Sequence, residues 1–151
     1  SQTPPPSKPR PRLTSVAGSS TVVRGGVVAY DNAIKTAVLG VPEEVIAAHG
    51  AVSEPVARAM AEGARRVLAA DIAVGITGIA GPGGGSPEKP IGTVDVAVAD
   101  ADGCTYKRLA LFGDRALIQH SAAVWALKLV WDRLVARGLA QVEDLAGFQA
   151  G

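Results

Sequence analysis

The sequence predicts a single α/β domain of three layers, α/β/α, around a mixed sheet. Three observations carry that expectation. Short β-branched runs alternate with amphipathic helical stretches. One apolar run, Asp71–Thr77, lacks the polar alternation of a strand with a wet face, so it predicts a central strand covered on both sides. A chain of 151 residues with 48% hydrophobic residues can fill one core.

The elements follow in order. Residues 1–12, SQTPPPSKPRPR, hold five of the ten prolines. Proline removes backbone donors and blocks helix, so this stretch reads as a disordered, extended tail. A proline-rich ligand for a recognition domain is the competing reading. Residues 13–20 read as a helix end or loop, and the folded domain is expected over 13–138. Val22–Tyr30 reads as a strand, with Gly25 and Gly26 marking a bulge or a close approach. Asp31 caps a short helix that stops at Gly40. A second helix starts near Pro42, with Glu43 and Glu44 in its first turn, and ends near Gly50.

Ser53 and Pro55 open a longer helix, capped by the serine, whose buried stripe is Val56, Met60, Gly63 and Val67. The stretch GIAGPGGGSPEKPIG (78–92) holds six glycines and three prolines and must be a loop. Val94–Ala99 and Tyr106–Phe112 form a hairpin about Asp100–Gly103. Asp114 caps a last helix ending at Gly138, with Trp125 and Trp131 packed on the sheet. Residues 139–151 form a C-terminal extension.

Composition removes several function classes. Aromatics are only 4%, which argues against single-stranded nucleic-acid binding by stacking. Net charge is +1, so no polyanionic partner is implied and no nucleic acid is expected. Without Lys8, Arg10 and Arg12, the remainder carries twelve bases against fourteen acids. A lone Cys104 and two distant histidines, His49 and His120, make neither an intrachain disulfide nor a metal set. No apolar run reaches membrane-span length and no signal peptide is visible, so the expected location is the cytoplasm.

The glycine-rich loop follows a buried strand, where open α/β sheets hold ligands. It matches neither nucleotide fingerprint. Gly85 is followed by Ser86 and Pro87 rather than Lys-Ser, and three prolines forbid a helix opening there. A loop both glycine-rich and proline-stiffened favours ligand holding over simple connection. Tyr30 and Lys35 are five apart, which excludes the Tyr-Lys pair of short-chain dehydrogenases. Alone, Lys35 reads as a solvated surface lysine. Buried, it would be a neutral amine able to take a proton. A Ser-Lys arrangement is the covalent option that the residues offer.

Taken together, VAGSS (16–20), GGVVAYDNAIKTAVLGV (25–41), HGAVSEPVARAMAEGA (49–64), TGIAGPGGGSPEKPIGTV (77–94) and LALFGDR (109–115) resemble the CinA C-terminal domain family. Its stand-alone members are nicotinamide-nucleotide amidases. The resemblance implies hydrolysis of the carboxamide of nicotinamide mononucleotide, giving nicotinate mononucleotide and ammonia in pyridine-nucleotide salvage. It implies no metal, no cofactor and a homo-oligomer. It assigns Ser20 as nucleophile and Lys35 as base, with Tyr30 and Asn32 beside it. Thr77 and Gly78 fall at the strand end facing the substrate. Backbone amides around Gly81, Gly83, Gly84 and Gly85 would stabilise the oxyanion and the phosphate, with Lys89 adding charge.

The resemblance also implies a first helix, a first strand and a segment like Ala-Glu-Ser-Cys-Thr-Gly-Gly ahead of Leu13. This chain has SQTPPPSKPRPR there, so the expectation is a domain without them. The alternative to an active amidase is therefore an inactive member that binds nucleotide or a partner subunit.

Overall fold

The computed structural model describes residues 19–141. The tail 1–12, the Leu13–Gly18 stretch and most of the C-terminal extension lie outside the described residues. A 3-10 turn, Ser19–Thr21, is followed by helices α1 (Asn32–Ala37), α2 (Glu43–His49) and α3 (Glu54–Val67). Strand β1 (Ile72–Gly78), the loop, β2 (Thr93–Asp100), β3 (Gly103–Ala110) and α4 (Arg115–Ala136) complete the order.

The three-layer architecture is present. α3 covers one face of the sheet and α4 the other. The sheet order is β1-β2-β3, and both pairings are antiparallel, so the described sheet is antiparallel rather than mixed. The central strand is β2, with all eight residues buried. β1 was expected in the centre; it pairs with β2 alone among the described residues and is an edge. Nor are both its faces covered: Gly75 and Thr77 are buried, but Ile76 and Gly78 on the other face are exposed.

Val22–Tyr30 is the second correction. It is extended but joins no ladder among the described residues. Val23, Val27 and Ala29 turn inward, while Val28 and Tyr30 are exposed. β-Propensity supplies an extended backbone; a strand needs a neighbour as well.

Several terminators act as the sequence requires. The Asp31 carboxylate accepts from Ala33 N at 2.8 Å and starts α1. Asp114 accepts from Leu117 N at 2.9 Å and starts α4. Gly40 and Gly138 take φ of +70° and +72°, which side chains rarely adopt. Ser53 stands at the N-cap of α3 but does not cap it; its hydroxyl donates to Gly50 O at 2.8 Å. On α3, Val56, Met60 and Gly63 are buried as expected, but Val67 lies half in solvent at the fraying end.

The core is small-grained, as low aromatic content requires. Val94, Val96 and Leu109 pack against Ile118, Ala122 and Ala126 of α4, with Trp125 on their margin. Ala97 and Ala99 meet Ala57 and Ala61 of α3. That contact is close: a Cβ on Gly75 would stand 2.6 Å from Ala57 O. α3 also presses on the α1–α2 connection, where a Cβ on Gly63 would stand 1.9 Å from Leu39 O.

Two buried carboxylates act as fasteners, Asp95 between strands of the sheet and Asp100 between the sheet and α4. Asp95 is fully buried on β2 and receives both Arg108 nitrogens, at 2.7 and 2.8 Å, and the Tyr106 hydroxyl at 2.7 Å. Burial pushes the Tyr106 phenol up to about 12, and the bond to Asp95 adds to it. Asp100 receives Arg133 Nη2 at 2.6 Å and Arg137 Nη1 at 3.1 Å from the far end of α4.

Candidate functional site

A groove of about 710 Å³ opens where β1 ends. Its size suits a nucleotide-sized ligand. One side is Val27–Tyr30 with Asn32 and Lys35; the other is Ile118, Gln119, Ala122 and Ala123 of α4. Ile76, Thr77 and Gly78 form the floor, and the glycine loop from Ile79 to Gly84 forms the rim.

Lys35 is the unusual group. It is 6% exposed, on the short α1, not the solvated lysine that its sequence context alone suggested. Its Nζ donates to Ala29 O at 3.0 Å and to Asn32 Oδ1 at 3.4 Å. Both acceptors are neutral. Burial holds the amine below the ordinary lysine range, with Asp31 pulling weakly the other way. An ammonium has three N–H donors, a neutral amine two donors and a lone pair. Two neutral acceptors and no carboxylate bond leave Nζ free to exchange a proton with a group in the groove.

Thr77 is buried at the strand end, and its hydroxyl donates to Ala51 O at 2.7 Å. Its oxygen lone pairs remain available to accept from a ligand. Tyr30 lines the groove but is 86% exposed. The amides of Ala80, Gly81, Gly83 and Gly84, all on the rim, donate to no backbone carbonyl among the described residues. The rim follows Gly81, at φ +78°, and a Cβ there would stand 2.8 Å from the Ile91 side chain.

The structure thus gathers Lys35, Tyr30, Asn32, Thr77, Gly78, Gly81, Gly83 and Gly84 about one groove. Three expected residues are not among those lining it. Ser20 is exposed in the 3-10 turn, ahead of the extended segment that leads to the groove. Gly85 is turned toward Ile91. Lys89 donates through Nζ to His49 O at 2.9 Å, so it fastens the loop to the end of α2. A second tie holds that loop, a turn in which Ser86 Oγ accepts from Lys89 N.

Sequence reasoning missed Arg115 and Gln119. Arg115 sits at the start of α4, and its Nη1 donates to Gly81 O at 3.0 Å, at the groove rim. With Lys35 it gives the groove two basic residues, and no Asp or Glu is among the described lining residues. The signal was present in the helix start at Asp114, which follows the end of β3 and so lies at the same end of the sheet as the end of β1. Among the described residues no group of three or more His, Cys, Asp or Glu is arranged for a metal. None of the described helices is long and apolar enough to cross a membrane.

Comparison with known proteins shows which family the chain resembles. The chain is 61% identical over 118 residues to a CinA-like protein of Anaeromyxobacter dehalogenans strain 2CP-C, covering 78% of this chain and 29% of the relative. It is 60% identical over 116 residues to a CinA-like protein of Gemmatimonas aurantiaca, covering 77% and 27%. It spans less than a third of the length of these curated relatives. Among solved structures, the competence/damage inducible protein CihA from Agrobacterium tumefaciens superposes with a TM-score of 0.77 at 41% identity, covering 80% of this chain and 74% of that one. A competence-damaged protein (CinA) superfamily protein from Klebsiella pneumoniae gives 0.79 at 32% identity, covering 82% and 78%. The family model for the CinA C-terminal domain matches residues 10–134, and the chain belongs to that family.

Proposed function

We propose that this domain hydrolyses the carboxamide of nicotinamide mononucleotide, releasing ammonia and nicotinate mononucleotide. The observation that carries the reading is Lys35: a buried amine with two neutral acceptors, facing a groove free of acidic lining residues. Its neutral form takes a proton from an attacking water. The water oxygen bonds to the carboxamide carbon, and the C=O electron pair moves to the oxygen. Amides of the glycine rim donate to that oxyanion. The Lys35 ammonium then returns a proton to the amide nitrogen, the C–N bond breaks, and ammonia leaves. Thr77 accepts from the carboxamide N–H₂, and Asn32 keeps Lys35 oriented. Arg115 and the free rim amides suit the phosphate.

Attack by water, rather than by Ser20, follows from the position of that serine outside the groove. The same observation favours a second reading, a nucleotide-binding domain without turnover. The deciding experiment is ammonia release from nicotinamide mononucleotide by the purified chain, beside calorimetric binding of the same compound. Turnover that disappears in Lys35→Arg supports the amidase. Binding without ammonia selects the second reading, and neither overturns both.

A further inference from the structure

The described lysines differ in what surrounds them. Lys89 is fastened to His49 O at 2.9 Å. Lys128 is paired with Asp132 at 2.9 Å, and Lys107 and Lys128 lie over the Trp125 ring, 4.5 and 5.7 Å from its centre. Among them only Lys35 lines the groove, and it is buried there. Its Nζ bonds to neutral oxygens, while the nearby Asp31 carboxylate accepts from Ala33 N. Burial favours the neutral amine. Such an amine is a nucleophile toward carbonyl carbon as well as a base. The same groove offers an anion cradle. Arg115 meets no carboxylate among the described residues, and its Nη1 bond to Gly81 O holds the fork at the rim. The amides of Ala80, Gly81, Gly83 and Gly84 stand beside it without backbone acceptors. Ile76, Ile118 and Ala122 add apolar wall, which suits a flat ring.

We infer that the groove captures aldehydes that carry a phosphate monoester, as a reversible imine on Lys35. The Nζ lone pair bonds to the aldehyde carbon, and the C=O electron pair moves to oxygen. A proton passes from nitrogen to that oxygen, which gives a carbinolamine. The nitrogen pair then forms C=N, the C–O bond breaks, and the hydroxyl takes a proton from solvent and leaves as water. The iminium returns its remaining extra proton to solvent. Nothing is oxidised or reduced, and addition of water restores the amine and the aldehyde. The phosphate on Arg115 and the rim amides raises the occupancy of the groove before the bond forms. Capture rests on the Lys35 amine and the anion cradle of the amidase reading, but not on turnover. A bound aldehyde occupies the base, so compounds of this class inhibit the proposed hydrolysis.

The probe is pyridoxal 5′-phosphate, added to the full chain, with borohydride reduction to fix the imine and peptide mapping to locate it. The label should sit on Lys35 ahead of Lys89, Lys107 and Lys128. Pyridoxal, the same ring without phosphate, should label Lys35 at least about 10-fold less at equal concentration, the worth of a charge-assisted contact. Arg115→Gln should bring the phosphate probe down toward that lower level. The two probes on the wild-type chain decide the matter even if that variant folds poorly. Equal labelling of Lys35 by both probes, or label on the other lysines with Lys35 unmodified, would overturn the inference. Ammonia release from nicotinamide mononucleotide is measured on the same samples before labelling. A chain that turns over but leaves Lys35 unlabelled defeats capture alone. A chain labelled on Lys35 without turnover sustains capture and counts against the amidase.

Discussion

Lys35 and Asp100 are equally buried, each 6% exposed, yet their surroundings push them in opposite directions. Asp100 lies under two arginines, and the Arg133 hydrogen bonds hold its carboxyl well below the usual carboxylate range. Its charge is stabilised and committed. Lys35 has a carbonyl and an amide oxygen, and burial holds its amine below the usual lysine range. Its charge is disfavoured and no carboxylate holds it. Asp100 joins β2 to the C-terminal end of α4, where a fixed charge serves as a fastener. Lys35 faces a groove, where a proton can be exchanged. Burial alone does not separate structural from chemical groups; the charge of the partner does.

The largest expected effect breaks the Lys35 side of this pair. Lys35→Arg keeps a positive charge that a protein cannot remove. Ammonia release should fall between about 100-fold and 10,000-fold in kcat, the usual worth of a general base, with Lys35→Ala similarly inactive. Unchanged nucleotide binding would keep the loss in the chemical step. An active Lys35→Arg enzyme would mean that Lys35 serves only as a cation.

Breaking the Asp100 side should cost stability instead. Asp100→Asn leaves Arg133 without its anion, and the loss should be about 3 kcal/mol in denaturant unfolding. Activity per folded molecule should hold. The sign with pH follows from the lowered folded value. Asp100 contributes stability above its unfolded value of 3.8, and that contribution is lost as pH falls from there toward the folded value. The wild type should therefore lose stability through this acid window more steeply than Asp100→Asn.

A smaller effect sharpens the comparison at Asp95. Tyr106→Phe removes one donor and leaves Arg108 in place, so the cost should be about 1.5 kcal/mol by thermal or denaturant unfolding. A loss as large as that at Asp100 would mean that the phenol, not the arginine, holds the buried carboxylate.

Much of this fold was legible because its signals are local. Asp31 and Asp114 announce helix starts by the bonds they make within three residues, and Gly40 and Gly138 announce ends by the φ they take. The hairpin of β2 and β3 follows from two β-rich runs and a short polar turn. The misreadings concern partners distant in sequence. Val22–Tyr30 has a strand's residues but no ladder. The burial of Asp95 and Asp100 on β2 was not foreseen, because it rests on Arg108 and Arg133, 13 and 33 residues away, helped by Tyr106 and Arg137. Ser53 has a cap's identity but spends its hydroxyl on Gly50.

The site divides in the same way. The glycine rim and Thr77 were readable as a loop after a buried strand. Arg115 was not, because its role depends on where the loop carbonyl of Gly81 stands. Lys89 was read as a groove cation, but its carbonyl acceptor lies 40 residues back at His49.

The most direct test is the protonation of Lys35 itself. Lysine side chains labelled with carbon-13 at Cε can be titrated by NMR, with the Lys35 signal assigned by its absence from Lys35→Arg. The account predicts that this signal titrates below the ordinary lysine value of about 10.4. Titration at or above that value would contradict it.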